Sequence, residues 1–197
     1  MILSPQIRAP YAVVFDLEFT AWEGSMAHRW LRPGEYTEIV QIGALKVDVD
    51  FVPQESLDIL VRPRLNPVLS PYLERLTGIT TEEVRARGID FEAAYRAFVD
   101  FVADLPILAF GRDDLIFADN LRLFGIKGAP PLPPYANVIP WLGAQGIDMR
   151  GLHACDVGPV VGVPFEGHKH NALDDARSVA AGIRALLGRG AKLPLAA

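Results

Sequence analysis

Apolar residues recur along this chain in two rhythms, and the change from one to the other outlines a fold. Residues 11–18 (YAVVFDLE) form a short, nearly continuous apolar run that turns polar at its end, the pattern of a buried strand. Residues 38–48 (EIVQIGALKVD) are rich in β-branched positions and read as a second strand. Residues 55–62 (ESLDILVR) read as a third, bracketed by Pro53 and Pro63. With no helix between them, these three predict an antiparallel meander. The stretch from 20 to 37 is polar, aromatic and glycine-containing and fits neither rhythm. Connections of that length are frequently functional.

The period then lengthens. Ser70-Pro71 opens a helical turn closing near Gly78, and Thr80 reads as a helix N-cap followed by Glu82 and Glu83. Residues 91–105 (FEAAYRAFVDFVADL) carry apolar positions at helical spacing. Residues 106–110 (PILAF) read as a short buried strand and 113–124 as a helix. A Pro-rich loop (GAPPLPPY) follows, then a last strand over 136–142 (ANVIPWL). Helices around 152–161 and 172–188 close the pattern, and 193–197 (LPLAA) reads as a frayed tail. Strands first, then alternating helix and strand, predict an α/β fold with one central mixed sheet covered by helices. No repeat or second core is visible, so a single domain over 1–197 is expected, its core at about 11–187 between short tails.

Bulk properties narrow the function. Half of the residues are hydrophobic, which excludes a disordered chain. A lone Cys155 excludes an internal disulfide and points to a reducing compartment. The N-terminus lacks the n- and h-regions of a signal peptide, and no apolar run approaches the roughly 20 residues that span a bilayer. A cytoplasmic protein without a membrane partner is the expectation. The net charge of −5 argues against a broad non-specific nucleic-acid coat, but a small site needs only a local basic rim. His28, Arg29, Arg32, Arg62, Arg64 and Arg75 are candidates for that rim, although each taken singly reads more readily as solvated surface.

Five side chains carry candidate chemistry. Asp16 and Glu18 end the first strand, and residues two apart on a strand share a face. Carboxylates rarely close a buried strand without a partner, because desolvating them is costly. Asp113 and Asp114 open one later helix, and Asp174 and Asp175 another, where N-capping alone accounts for at least one of each pair. His170 stands five residues before Asp175, with His168 as a rival at a different spacing. Gathered together, such carboxylates make a cage of hard oxygen ligands suited to Mg²⁺ or Mn²⁺, not zinc. The histidine would stand at its lip as a proton acceptor.

FDLEFT, AFGRDDL and HNALDDA resemble the three exonuclease motifs of the DEDDh branch of the DEDD 3′→5′ exonucleases. That group includes ribonuclease T, the proofreading subunit of bacterial DNA polymerase III and the histone-mRNA exonucleases. EIVQIGALKV resembles the family's second strand and LERLTGIT its Leu-Thr-Gly-Ile turn, so the likeness covers about residues 11–187. The histone-mRNA exonuclease group, the nearest in character, has Trp-Gly-x-x-Asp as its second motif. That alignment implies Asp114, not Asp113, as the metal ligand. The His-x₄-Asp spacing implies His170 and Asp175 as the catalytic pair, with Asp174 and His168 in support. Phe110 stands where close relatives have Trp, and Gln41 where many have Glu. Neither is a family ligand position. Arg112 is unexpected there and is a candidate contact to substrate phosphate.

The resemblance implies an RNase H-like fold with a five-stranded mixed sheet. It also implies a metal-dependent 3′→5′ exonuclease that releases nucleoside 5′-monophosphates from single-stranded RNA or DNA 3′ ends. Two Mg²⁺ ions, replaceable by Mn²⁺, would be held by Asp16, Glu18, Asp114 and Asp175, with neutral His170 as general base. Phe19 and Thr20 would bind the terminal sugar, Ile79 would wedge against its base, and Thr77 would lie nearby. The alternative is a catalytically silent nucleic-acid-binding or adaptor module on the same fold, against which all five filled positions speak. Homodimers occur in this family, and no exposed stripe in the sequence calls for one.

Overall fold

Strand β1 (Ala12–Phe19) is the axis on which the rest is built, in a computed structural model that describes residues 10–194. Residues 1–9 and 195–197 of the expected tails lie outside the described residues, while Ala191 and Leu193 pack against the core. Along β1 the pleat sends Ala12 and Val14 into one core layer and Val13, Phe15 and Leu17 into another, so the strand is apolar on both faces. β2 (Ile39–Val47) and β3 (Pro53–Leu60) complete the expected meander. β4 (Ile107–Ala109) and β5 (Tyr135–Asn137) extend the other side, giving a five-stranded sheet ordered β3-β2-β1-β4-β5. The β1–β2 and β2–β3 pairs are antiparallel, whereas β1–β4 and β4–β5 are parallel.

The short helices are α1 (Ser25–His28), α2 (Pro71–Thr77) and α3 (Thr81–Arg87). Helices α4 (Phe91–Val102) and α5 (Asp113–Leu123) cover one face of the sheet. There Phe15 meets Phe98 at 5.1 Å and Phe117 at 5.9 Å between ring centroids. After α6 (Ile139–Ala144) and a 3₁₀ turn (Ala154–Asp156) running into α7 (Val157–Val160), helix α8 (Ala172–Leu187) covers the opposite face. The predicted caps form. The Ser70 hydroxyl accepts the Leu73 N–H at 3.0 Å, and Thr80 with Glu83 makes a reciprocal capping box.

Three expectations change. In 136–142 only the first residues pair with the sheet, and the chain turns helical at Ile139. Pro140 has no N–H for a ladder and its fixed φ suits the start of a helix, while the Asn137 side chain accepts the Ile139 N–H at 3.0 Å. The segment 152–161 is a 3₁₀ turn and one α-turn, not a continuous helix. The 20–37 connection holds the single helical turn α1. No helix among the described residues is long and apolar enough to cross a membrane.

β1 is the strand where the antiparallel and parallel halves of the sheet meet. The carboxyl ends of β1 and β4 therefore open on the same edge, and in α/β sheets such an edge is where ligands bind.

Candidate active site

A cleft of about 980 Å³ opens at that edge, lined by Asp16, Glu18, Asp113, His153, His170 and Asp175 together with an aromatic wall. Asp16 and Glu18 continue the face of β1 that Ala12 and Val14 begin, the face packed against α8. Their partners across the ladder are Gly43 and Gln41. Both partners position α8. A Cβ on Gly43 would lie 2.1 Å from the Leu173 backbone nitrogen, so only glycine lets the helix start rest directly on β2. Gln41 accepts the Ala172 N–H at 2.9 Å and donates to Asp58 at 2.8 Å. A Glu here would face the Asp58 carboxylate with no proton to share, which accounts for the departure from the family's usual residue.

Helical phase then decides which aspartates enter. In α8 the buried stripe runs through Ala172, Asp175, Ala176, Val179 and Ile183, so Asp175 points at the sheet. Asp174 instead accepts the His168 N–H at 2.9 Å and pairs with Arg177 at 2.7 Å, steadying the loop that carries His170. In α5 the inward stripe is Asp113, Phe117 and Asn120. The expectation of Asp114 as the site carboxylate does not hold in the fold. Asp114 turns outward and binds the Arg112 guanidinium through two bonds of 2.8 Å, and Asp113 takes the place beside Asp16. Arg112 is thereby committed to Asp114.

Three side chains that the sequence did not single out fix α5. Buried Asn120 accepts the Ile39 N–H at 3.0 Å and donates to the Thr37 carbonyl at 2.7 Å, tying α5 to the start of β2. Asn137 accepts the Gly111 N–H at 3.2 Å, and the Tyr135 hydroxyl donates to the Gly111 carbonyl, pinning the turn that delivers Asp113.

Burial and mutual repulsion make the carboxylates hard to ionise. Asp16 is held well above the usual carboxylate range by burial first, then by the charges of Asp113, Glu18 and Asp175. Glu18 is raised by burial, then by Asp175 and Asp113. Asp113 is pushed up to about 8 by burial and by Asp114, and Asp175 to about 7, chiefly by burial. No lysine or arginine is among the described residues lining the cleft. One oxygen each of Asp113 and Asp175 is buried with no hydrogen-bond partner, and Glu18, His170 and Asp175 offer ligand atoms within 4.8 Å of one another. Oxygen donors that repel one another and lack partners fit a hard divalent cation.

His170 has a left-handed backbone (φ 62°) just before the Asn171 cap, a conformation uncommon outside glycine and concentrated at functional positions. Its half-buried ring stands 5.4 Å from that of His153, edge to face. Burial, then His153, hold its pKa below the usual imidazole value, so it is neutral at pH 7.

The expected substrate contacts divide. Phe19 lines the cleft; Thr20, Thr77 and Ile79 do not. Thr20 is buried and joins the ends of the 20–37 loop, donating to the Tyr36 carbonyl and accepting the Glu38 N–H. Thr77 donates to the Leu73 carbonyl at 2.9 Å and accepts the Ile79 N–H at 3.1 Å, while Ile79 packs among Leu69, Leu73 and Val84. None of the six rim candidates lines the cleft either. Arg62 holds the Gly88 carbonyl and Arg64 pairs with Asp90.

Comparison with solved structures places this fold among nucleases. The nuclease domain of 3′hExo, a DEDDh family member, bound to rAMP, is 22% identical over 93% of this chain and 94% of its own, with a TM-score of 0.79. Cell-death related nuclease 4 is 20% identical over 93% of this chain and 66% of its own, with a TM-score of 0.73. E. coli ExoI, in a complex with single-stranded DNA, is 16% identical with a TM-score of 0.65; the chain covers 41% of that enzyme. All share the RNase H-like arrangement described above. A search of curated protein sequences finds no match. The exonuclease family model (RNase T) matches residues 13–182, a span that takes in all three motifs and every carboxylate of the cleft, and the chain therefore belongs to the exonuclease family and is a nuclease.

Proposed function

We infer that the protein is a metal-dependent 3′→5′ exonuclease that removes nucleoside 5′-monophosphates from single-stranded nucleic-acid ends, with one catalytic domain spanning about residues 11–187. The reading rests on one observation: Asp16, Glu18, Asp113, Asp175 and neutral His170 converge on a single cleft. Asp16, Glu18, Asp113 and Asp175 are the residues that would hold two divalent cations, Mg²⁺ or Mn²⁺, with Asp113 in the role first expected of Asp114. When bound, such ions stabilise charge on the scissile phosphate and acidify a water.

The protein's own groups do the rest. The His170 backbone N–H donates to the Asp175 carboxylate, while its imidazole accepts the proton of the attacking water as general base. Phe19 and Trp30, with ring centroids 5.4 Å apart, offer apolar surface to the terminal nucleoside. The polarity and the single-stranded end are supported by the neighbours: one is a 3′-exonuclease recognising the 3′ end of a histone mRNA stem-loop, and another is a single-stranded DNA complex. The free, buried Cys155 fits a reducing compartment, and we assign the protein to the cytoplasm.

The test uses 5′-labelled single-stranded RNA and DNA of one sequence, incubated with Mg²⁺, Mn²⁺ or EDTA, alongside His170→Ala. A metal-dependent ladder of shortened products is expected, with the His170→Ala rate lower by about 10²–10⁴-fold. If folded, metal-supplied protein shortens neither strand, the reading is lost and a silent binding module takes its place.

A further inference from the structure

The cleft's walls and its charges are unequally provided. Phe19, Trp22, Met26, Trp30, Tyr72 and Phe110 supply apolar and aromatic surface above a floor of carboxylates. The Trp30 ring is fixed in place, its indole N–H donating to the Thr20 carbonyl at 2.9 Å and its face tilted against Phe19. Cations, by contrast, are absent from the described lining, and three of those adjacent to it in the chain are already paired. Arg112 binds Asp114 at 2.8 Å, Arg150 binds Asp148 at 2.6 Å, and Lys169 binds Asp156 at 2.9 Å. Arg29 and Arg75, exposed and next in the chain to Trp30 and Leu76, have no carboxylate partner among the ion pairs of the described residues.

A groove that holds a long strand by its backbone needs roughly one cation for each phosphate it neutralises. This chain has a net charge of −5, so its surface carries no general excess of cations to hold phosphates beyond the cleft. Base stacking has no such requirement and contributes roughly tenfold in affinity per stacked base.

We propose that the cleft grips only the last one or two nucleotides of its substrate, by stacking bases on the Phe19–Trp30 wall, so that short oligonucleotides are degraded as efficiently as long single strands. The proposal deepens the exonuclease reading and rests on it. Length carries no advantage because the described lining offers no cation to hold further phosphates. Affinity depends weakly on salt because almost no protein cation is traded for counterions.

The experiment measures kcat/KM for oligonucleotides of one 3′ sequence and increasing length, from a trimer to a 20-mer, at fixed Mg²⁺ and 50–200 mM KCl. We expect kcat/KM to vary by less than about threefold across lengths, and log(kcat/KM) to fall against log[KCl] with a slope shallower than about −1.5, the value for two phosphates on a single strand. Trp30→Ala is expected to raise KM about tenfold at every length. Met26→Ala, at a side chain 69% exposed and so dispensable for folding, should raise KM in the same direction. The double variant Arg29→Ala/Arg75→Ala should change it less than threefold. A kcat/KM that climbs steadily with length, with a slope steeper than about −3, overturns the proposal and reveals a backbone groove. Absence of hydrolysis at every length overturns the exonuclease reading beneath it, an outcome distinct from length dependence.

Discussion

Within α5, one step along the chain turns a side chain by about 100° around the helix axis. That rotation separates two aspartates of identical chemistry. Asp113 shares a stripe with Phe117 and Asn120 and is driven among other carboxylates, whereas Asp114 meets Arg112 and is held below the usual carboxylate range, chiefly by that hydrogen bond. The substitutions Asp113→Asn and Asp114→Asn should therefore behave oppositely. Asp113→Asn should lower the exonuclease rate by about 100-fold or more, since a preorganised charge at the reacting centre is lost. The same change should raise the metal-free melting temperature by a few degrees, because it relieves repulsion among buried carboxylates. Asp114→Asn loses a partly exposed ion pair, worth at most about 1 kcal/mol, and should leave the rate within about threefold. Rate measurements and thermal melts on the two variants decide the matter. Equal loss of rate in both would return Asp114 to the site.

At the scale of elements, the site depends on how closely α8 lies on β2. Gly43 leaves no room for even a methyl group against the backbone of Ala172 and Leu173, and Gln41 ties the Ala172 N–H to the sheet. Gly43→Ala forces the helix start away from the strand that carries Asp16 and Glu18. Overpacking of this kind costs about 2–3 kcal/mol. In a chain of this size that is a fall in melting temperature of roughly 5–10 °C. Activity should fall at least about tenfold with it, since Asp175 and His170 move with the helix. A Gly43→Ala variant that melts and cleaves like the parent protein would show that α8 is not seated in this way. The elements themselves were largely visible in the sequence. The meander, α4, α5 and α8 follow from periodicity and caps. The segment around Pro140 was misread because an apolar, β-branched run can serve a strand or a buried helix until proline geometry is weighed.

Over the whole molecule, the site works against stability, and pH exposes this. Asp113 and Asp175 titrate at about 8 and about 7 in the fold, while an unfolded aspartate titrates near 4. The native state therefore holds extra protons between those limits. Stability of the metal-free protein is greatest below about pH 4 as far as these groups are concerned, and it declines as pH rises to about 8. Depressed carboxylates act in the other direction and at lower pH: Asp90, held down by Arg64, contributes stability above its unfolded value that is lost as pH falls through its folded one. In EDTA, the melting temperature should be lower at pH 8 than at pH 6. Added Mn²⁺ should raise it at both, and more at pH 8, where the carboxylates are ionised and bind the ion without first losing a proton. A melting temperature that is flat from pH 6 to 8, with no response to Mn²⁺, would contradict both the burial of these groups and their affinity for metal.

The sequence by itself determined the class of fold and the order of its elements, and it named four of the five groups that line the cleft and carry the proposed chemistry, Asp16, Glu18, His170 and Asp175. Two-residue alternation on a strand brought Asp16 and Glu18 together, whereas the choice of His170 and Asp175 over His168 and Asp174 came from the resemblance to the family's third motif. Helical phase within α5 places Asp113 with Phe117 and Asn120, a local signal that alignment to the motif left unused. What only the tertiary structure decided are relations between distant segments. The clamps at Asn120 and Gln41 reach across 81 and 131 residues. The commitment of Thr77 and Ile79 to packing, and of Arg62, Arg64 and Arg112 to other partners, likewise depends on what each side chain meets in space. A residue's type fixes the chemistry it can offer; burial, phase and neighbours fix whether that chemistry reaches the cleft.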